Sequence, residues 1–229
     1  MPKMSWKKSF EKYAKKQAPE EACGLLAIID GKETFWPCKN LAEGKLEFFV
    51  INPDDWAECE DTGQVIGVLH SHPKGESTPS ELDVKACEQL GFPYFIYSLL
   101  DDDWQTFQPS DWNGSLIYDD NKVEESEDTN LKTIKVYGKL RQFLGKSYFK
   151  AAVKSPQQAL SFLMANFEGL QKHMNDQVYK IKMGGREITE DYLSMSGEGD
   201  IQIIPIAHGG FFTFLAGLIF TAGGASTAV

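Results

Sequence analysis

Two histidines one residue apart, His70-Ser71-His72-Pro73, close an apolar run at Val65–Leu69, and Ser80 and Asp83 follow shortly after. Alternate residues of a strand point the same way, so Ile66, Val68, His70 and His72 share a face, and two imidazoles at a strand end can converge on one ion. Thr78 as N-cap, Pro79 at N1 and Glu81 at N3 read as a capping box that fixes the start of a helix running to about Leu90. Ser80 and Asp83 then lie on one face of its first turns, and a turn containing Pro73 and Gly75 brings that face back against the strand end. Two imidazoles and one carboxylate leave a fourth coordination position open to solvent, the arrangement of a catalytic zinc ion. The expected metal ligands are therefore His70, His72 and Asp83, and the expected cofactor is Zn2+. Each residue alone is commonly a solvated or merely polar side chain. The fixed spacing of four residue types, two of them the rare histidine, is what carries the reading.

The elements that must position this cluster are legible upstream and downstream. Trp6, Phe10, Tyr13 and Ala14 recur at helical intervals among lysines, which predicts an amphipathic helix over 5–18, ended by Pro19. Ala22–Ile29 reads as a buried strand, turning at Asp30-Gly31 into a second around Thr34–Pro37. Phe48–Ile51, Tyr94–Leu99 and Trp104–Gln108 read as further strands, and Pro53–Cys59 as a short helix. This mixture predicts an α/β (α+β) unit over residues 1–108.

Residues 101–130 hold ten acids (Asp101, Asp102, Asp103, Asp111, Asp119, Asp120, Glu124, Glu125, Glu127, Asp128) against Lys122 alone, within a chain of formal net charge -10. Such a balance argues against nucleic acid as a partner, because phosphate neutralisation needs clustered Lys and Arg. Residues 109–130 read as an acidic linker, with a local turn at Trp112-Asn113-Gly114. From 131 to 210 the pattern gives two strands (Leu131–Tyr137 and Ser147–Val153) joined by a polar turn. A helix capped by Ser155, Pro156 and Gln158 follows, then two strands (Val178–Met183 and Asp200–Ile206) on either side of the Gly184-Gly185 hairpin turn. That is the order of a β-grasp domain. Residues 211–229 form an apolar, glycine-containing tail whose run Phe211–Phe220 is too short to span a bilayer, which leaves a membrane role open. Cys23, Cys38, Cys59 and Cys87 show no C-x-x-C spacing and no secretory signal precedes them, so reduced, buried thiols in a cytoplasmic protein are expected.

The pattern His-x-His-Pro-x6-Ser-x-x-Asp resembles the signature of the JAMM (JAB/MPN) zinc metallopeptidases, over about residues 5–108. The resemblance implies a cytidine-deaminase-like mixed sheet with flanking helices, zinc on His70, His72 and Asp83, and hydrolysis of peptide or isopeptide bonds. The family's upstream glutamate is matched within Glu20-Glu21-Ala22-Cys23-Gly24, where Glu-x-x-Gly selects Glu21 as general base. Its serine is matched by Ser80, implied to hydrogen-bond the developing oxyanion. The chemistry is coherent: zinc acidifies bound water and polarises a carbonyl, and a nearby carboxylate carries the proton to the leaving amine.

Within that family, residues 1–108 are similar to the JAMM domain of phage tail assembly proteins of the lambda K type. Residues 131–210 resemble the ubiquitin-like domain of the lambda I type, through Ile134–Leu140, Val153–Ala159, Asn166–Gly169 and Ile203–Pro205. No cysteine lies beyond Cys87, so the cysteine cell-wall peptidase domain often carried by K-type proteins has no counterpart here. The resemblance implies a phage tail assembly protein of the host cytoplasm, carried into the virion tail, with other tail tip proteins and a ubiquitin-like domain, in cis or in trans, as partners. Gly209-Gly210 after the last strand is the expected cleavage site, with release from Phe211 onward. The rival readings are a non-catalytic tail adaptor that uses both domains as binding modules, and a cellular deubiquitinase-like or sulfur-carrier-processing enzyme.

Overall fold

The computed structural model describes residues 5–114, 130–175 and 177–209. They fall into two units, residues 206–209 counting with the first. The greater part of the acidic linker (115–129), Gly210 and the tail 211–229 lie outside the described residues.

The first unit opens with α1 (Trp6–Gln17), started by the Ser5 side chain accepting from the Lys8 N–H. Strands β1 (Cys23–Ile29) and β2 (Lys32–Cys38) form a hairpin across Asp30-Gly31, both at positive φ. The short strand β3 (Phe49–Val50), α2 (Pro53–Thr62), β4 (Gln64–His72), α3 (Glu81–Leu90), β5 (Tyr94–Ser98) and β6 (Asp103–Phe107) follow. The main sheet has the order β2-β1-β4-β5-β6 and is mixed: β4 and β5 run parallel, the other pairs antiparallel. Burial explains the central strands. Leu25, Leu26, Val68, Leu69, Ile96 and Tyr97 lose essentially all contact with solvent, and α1 covers one face with Phe10 and Ala14. Trp6, Phe35, Phe95 and Trp104 extend this packing edge-to-face, a geometry suited to aromatic quadrupoles.

The second unit contains β7 (Lys132–Val136), α4 (Gly138–Leu144), β8 (Tyr148–Ala151), α5 (Pro156–Asn166), α6 (Leu170–Met174), β9 (Tyr179–Met183), β10 (Arg186–Ile188) and β11 (Ile201–Pro205). Its sheet order is β10-β9-β11-β7-β8, with β7 and β11 parallel at the centre. The α5 residues Ala159, Leu160 and Leu163 join the core, as the 3.6-residue spacing predicts. Gly184 and Gly185, both at positive φ, make the β9–β10 turn. The polar turn expected after β7 is instead the helix α4. Its buried face, Leu140 and Leu144, is too short a run for periodicity to reveal, and Gly145 in the left-handed region ends it.

A last strand, β12 (His208–Gly209), pairs antiparallel with β3. Residues 206–209, expected as the end of the second unit, therefore pack in the first. The turn expected at Trp112–Gly114 sits earlier, where the Trp112 N–H reaches the Pro109 carbonyl. No helix of the described residues is long and apolar enough to cross a membrane.

Candidate metal centre

The antiparallel pairing of β1 with β4 puts Cys23 opposite His70. Just beyond, the Ser71 N–H donates to the Ala22 carbonyl at 3.0 Å, and the Ala22 N–H donates to Ser71 Oγ at 2.9 Å. Ser71, the spacer between the histidines, thus ties the Glu21 end of β1 to the histidine end of β4. Asn40 holds the other side: its amide donates to the carbonyls of Glu21 and Phe48, and its oxygen accepts from the N–H groups of Ala42 and Val50. The return loop is held by Ser98 Oγ donating to the Gly75 carbonyl at 2.7 Å and by the Leu99 N–H donating to the His72 carbonyl.

Helix α3 begins slightly later than the sequence suggests. Ser80, not Thr78, is the N-cap, and Asp83 rather than Glu81 completes the capping box. The Asp83 N–H donates to Ser80 Oγ, while Asp83 Oδ2 accepts from the Ser80 N–H at 2.9 Å and the Ser80 hydroxyl at 2.6 Å. The two boxes overlap in sequence, and the one that also anchors a buried carboxylate is the one formed.

His70 Nε2 lies 3.2 Å from His72 Nε2 and 3.3 Å from Asp83 Oδ1, and His72 Nε2 lies 3.7 Å from Asp83 Oδ2. Ligand atoms about 2.0–2.1 Å from a tetrahedral zinc ion stand about 3.3–3.4 Å apart, so the cluster matches that edge length. The Nδ1 of His72 faces the Glu76 carbonyl at 2.6 Å, which places the ring proton on Nδ1 and turns the Nε2 lone pair towards the cluster. Nitrogen lone pairs this close repel unless a proton or a cation lies between them. The donor set fits a divalent ion, and His70, His72 and Asp83 form a group able to hold one.

Electrostatics sort the groups. Burial pushes the Glu21 carboxyl up to about 8, with His72 opposing and Asp83 and Glu47 adding to the rise. Burial also resists ionisation of Asp83. The facing His70 and His72 imidazoles and the Ser80 hydrogen bond outweigh it and hold that carboxyl far below the usual range. Burial lowers His70, with Asp83 opposing; at half-buried His72 the facing Asp83 carboxylate, the Glu76 carbonyl and the Glu21 charge overcome burial and raise it.

Glu21, His72, Ser80, Asp83 and Gly209 line one cleft of ≈ 430 Å3. His70 is wholly buried, stacked on the Phe49 ring at 4.6 Å between centroids. Every expected site residue except Gly210, which is outside the described residues, is thus brought to this place. The Ser80 hydroxyl points to Asp83 here. Asn40, Phe49 and Tyr94 were not singled out from sequence. Their roles depend on contacts distant along the chain, and no local spacing signals them.

Residues 5–112 match the model of a family described as prokaryotic homologs of the JAB domain. The chain is 38% identical over 97 residues to the tail tip assembly protein K of Escherichia phage N15, covering 42% of this chain and 40% of that protein. It is 32% identical over 97 residues to the CysO-cysteine peptidase of Mycobacterium tuberculosis, covering 39% of this chain and 66% of that enzyme. The chain therefore spans less than half of the phage protein and about two thirds of the peptidase. A JAB1/MPN domain protein of known structure from Archaeoglobus fulgidus is 20% identical, covering 45% of this chain and 84% of that one at a TM-score of 0.31. Residues 5–112 are thus similar to the prokaryotic homologs of the JAB domain, and within them His70, His72 and Asp83 form a group able to hold a metal ion.

Proposed function

We propose that this chain is a zinc-dependent peptidase of the JAMM type that acts in phage tail assembly, hydrolysing a peptide or isopeptide bond that follows a ubiquitin-like module. The observation that carries the reading is the convergence of His70 Nε2, His72 Nε2 and Asp83 in a cleft also lined by Glu21. A zinc ion held by those three groups supplies Lewis acidity to water and to the scissile carbonyl. Glu21 takes a proton from the attacking water and delivers it to the leaving nitrogen. Ser80 holds Asp83 in place, and a turn of its hydroxyl towards the cleft would let it donate to the oxyanion.

Likeness to the tail tip assembly protein supports a role in the tail, with other tail tip proteins as partners, first in the host cytoplasm and then in the virion. Likeness to the CysO-cysteine peptidase supports hydrolysis. The ubiquitin-like reading of residues 131–210 is supported by two strands, the helix α5 and three further strands in order, with the first and last, β7 and β11, parallel and adjacent in the sheet.

The test is hydrolysis of a peptide carrying an amide bond after Gly-Gly by the zinc-loaded chain, against the same chain stripped by chelator. Cleavage that disappears with the metal and returns with zinc supports the reading. A chain that takes up no zinc and cleaves nothing is instead a non-catalytic adaptor.

A further inference from the structure

Beside this cleft, strand β3 carries an added strand from much later in the same chain. Ile206 and Ala207 are buried, and beyond them His208 pairs with Val50 and Gly209 with Phe49 as an added antiparallel strand. The Ile51 N–H donates to the Ala207 carbonyl at 2.9 Å, and the Tyr94 hydroxyl donates to the His208 carbonyl at 3.0 Å. Main-chain pairing to a sheet edge is one recurring way in which extended peptides are bound, affinity coming from the backbone and selectivity from side-chain pockets.

Here the selectivity falls on Gly209. A Cβ at that position would stand 2.6 Å from Asp83 Oδ1 and would overlap the Phe49 ring. Neither obstacle yields cheaply: Asp83 is fixed by the capping box, and Phe49 is wholly buried against His70. Only glycine fits, and its backbone passes directly against the oxygen that faces His70.

We infer that the chain is its own substrate in cis: residues 206–209 dock on β3, and the bond broken is one of the two that follow Gly209, at Gly209–Gly210 or Gly210–Phe211. The inference rests on the peptidase reading above. Water adds its oxygen to the glycine carbonyl carbon and the C–N bond breaks. The released nitrogen gains the water proton through Glu21 and leaves as an amine, and the upstream part keeps a glycine carboxylate. Tethering raises the local concentration of the segment to about millimolar, so a short docking strand suffices.

The test uses the full chain, purified with chelator and then given zinc, followed by intact mass at several protein concentrations. A new C-terminus at Gly209 or Gly210, appearing at a rate independent of protein concentration, is the expected result. Gly209→Val should slow the loss by about 100-fold or more, since overlap with fixed neighbours is not relieved, while still binding one zinc ion per chain. Tyr94→Phe should slow it by about tenfold through loss of one hydrogen bond. A rate that rises with concentration, a cut elsewhere, or equal rates for Gly209→Val and wild type would each overturn the inference. The same wild-type preparation also receives a synthetic peptide of residues 204–214. Hydrolysis of that peptide beside an intact chain removes the cis inference alone. No hydrolysis of either removes the peptidase reading with it.

Discussion

The Ser80 hydroxyl donates to Asp83 Oδ2 at 2.6 Å while the other oxygen of that carboxylate faces His70 Nε2 at 3.3 Å. One side chain therefore closes the helix start and completes the metal cluster, so the first turn of α3 cannot shift without moving a ligand. Ser80→Ala should cost about 1 kcal/mol of stability as a lost N-cap and weaken zinc binding by roughly 10–100-fold as a lost ligand support. Chemical denaturation and zinc titration of the same variant measure the two effects, and a variant with lower stability but unchanged zinc affinity would show that Ser80 serves the helix alone.

Glu21 lines the cleft without belonging to the ligand cluster. Glu21→Gln should therefore retain one zinc ion per chain while hydrolysis falls by about 100-fold or more, the usual scale of a lost general base. Zinc content and turnover measured side by side check this, and a Gln variant that keeps full turnover would remove Glu21 from the chemistry.

The same carboxyl makes the metal-free protein pH-sensitive. Burial raises it in the folded state from 4.5 to about 8, so across that range the folded chain holds a proton that the unfolded chain has released. This contribution to stability is complete below pH 4.5 and is lost as pH rises to about 8. Glu21→Gln lacks the titration. Its advantage over wild type in chelator should grow across that window to a few kcal/mol, since each tenfold fall in proton activity costs the wild type about 1.4 kcal/mol there. Paired thermal unfolding across the window measures it, and a difference that stays flat with pH contradicts it.

Cys23, Cys38, Cys59 and Cys87 are buried thiols outside any disulfide, and burial raises the first three well above their ordinary range. Thiolate is the reactive form. A thiol reagent should thus label all four only after denaturation, with native labelling slower by about 100-fold or more. Rapid labelling of the folded protein would show that the strands carrying Cys23 and Cys38 open easily.

His70 and His72 are readable in the sequence because a strand's two-residue period forces them to one side, and Asp83 because a helix start lies a few residues before it. The cap itself is not, since Thr78-Pro79 and Ser80 both offer acceptable chemistry. The choice falls to Asp83, whose burial among the histidines no local rule contains. Asn40, Phe49 and Tyr94 escape for a related reason: each acts through partners remote in sequence, such as the His208 carbonyl for Tyr94. Strand β12 escapes because two residues carry no periodicity, and its pairing with β3 depends on a tertiary edge.

Everything proposed for the cleft depends on His70, His72 and Asp83 closing on one metal ion. An anomalous difference map at the zinc edge, from crystals of the zinc-loaded chain, tests it most directly. One strong peak is expected at about 2.0–2.2 Å from both Nε2 atoms and an Asp83 oxygen. A map with no peak there, or zinc held by other side chains, would contradict it.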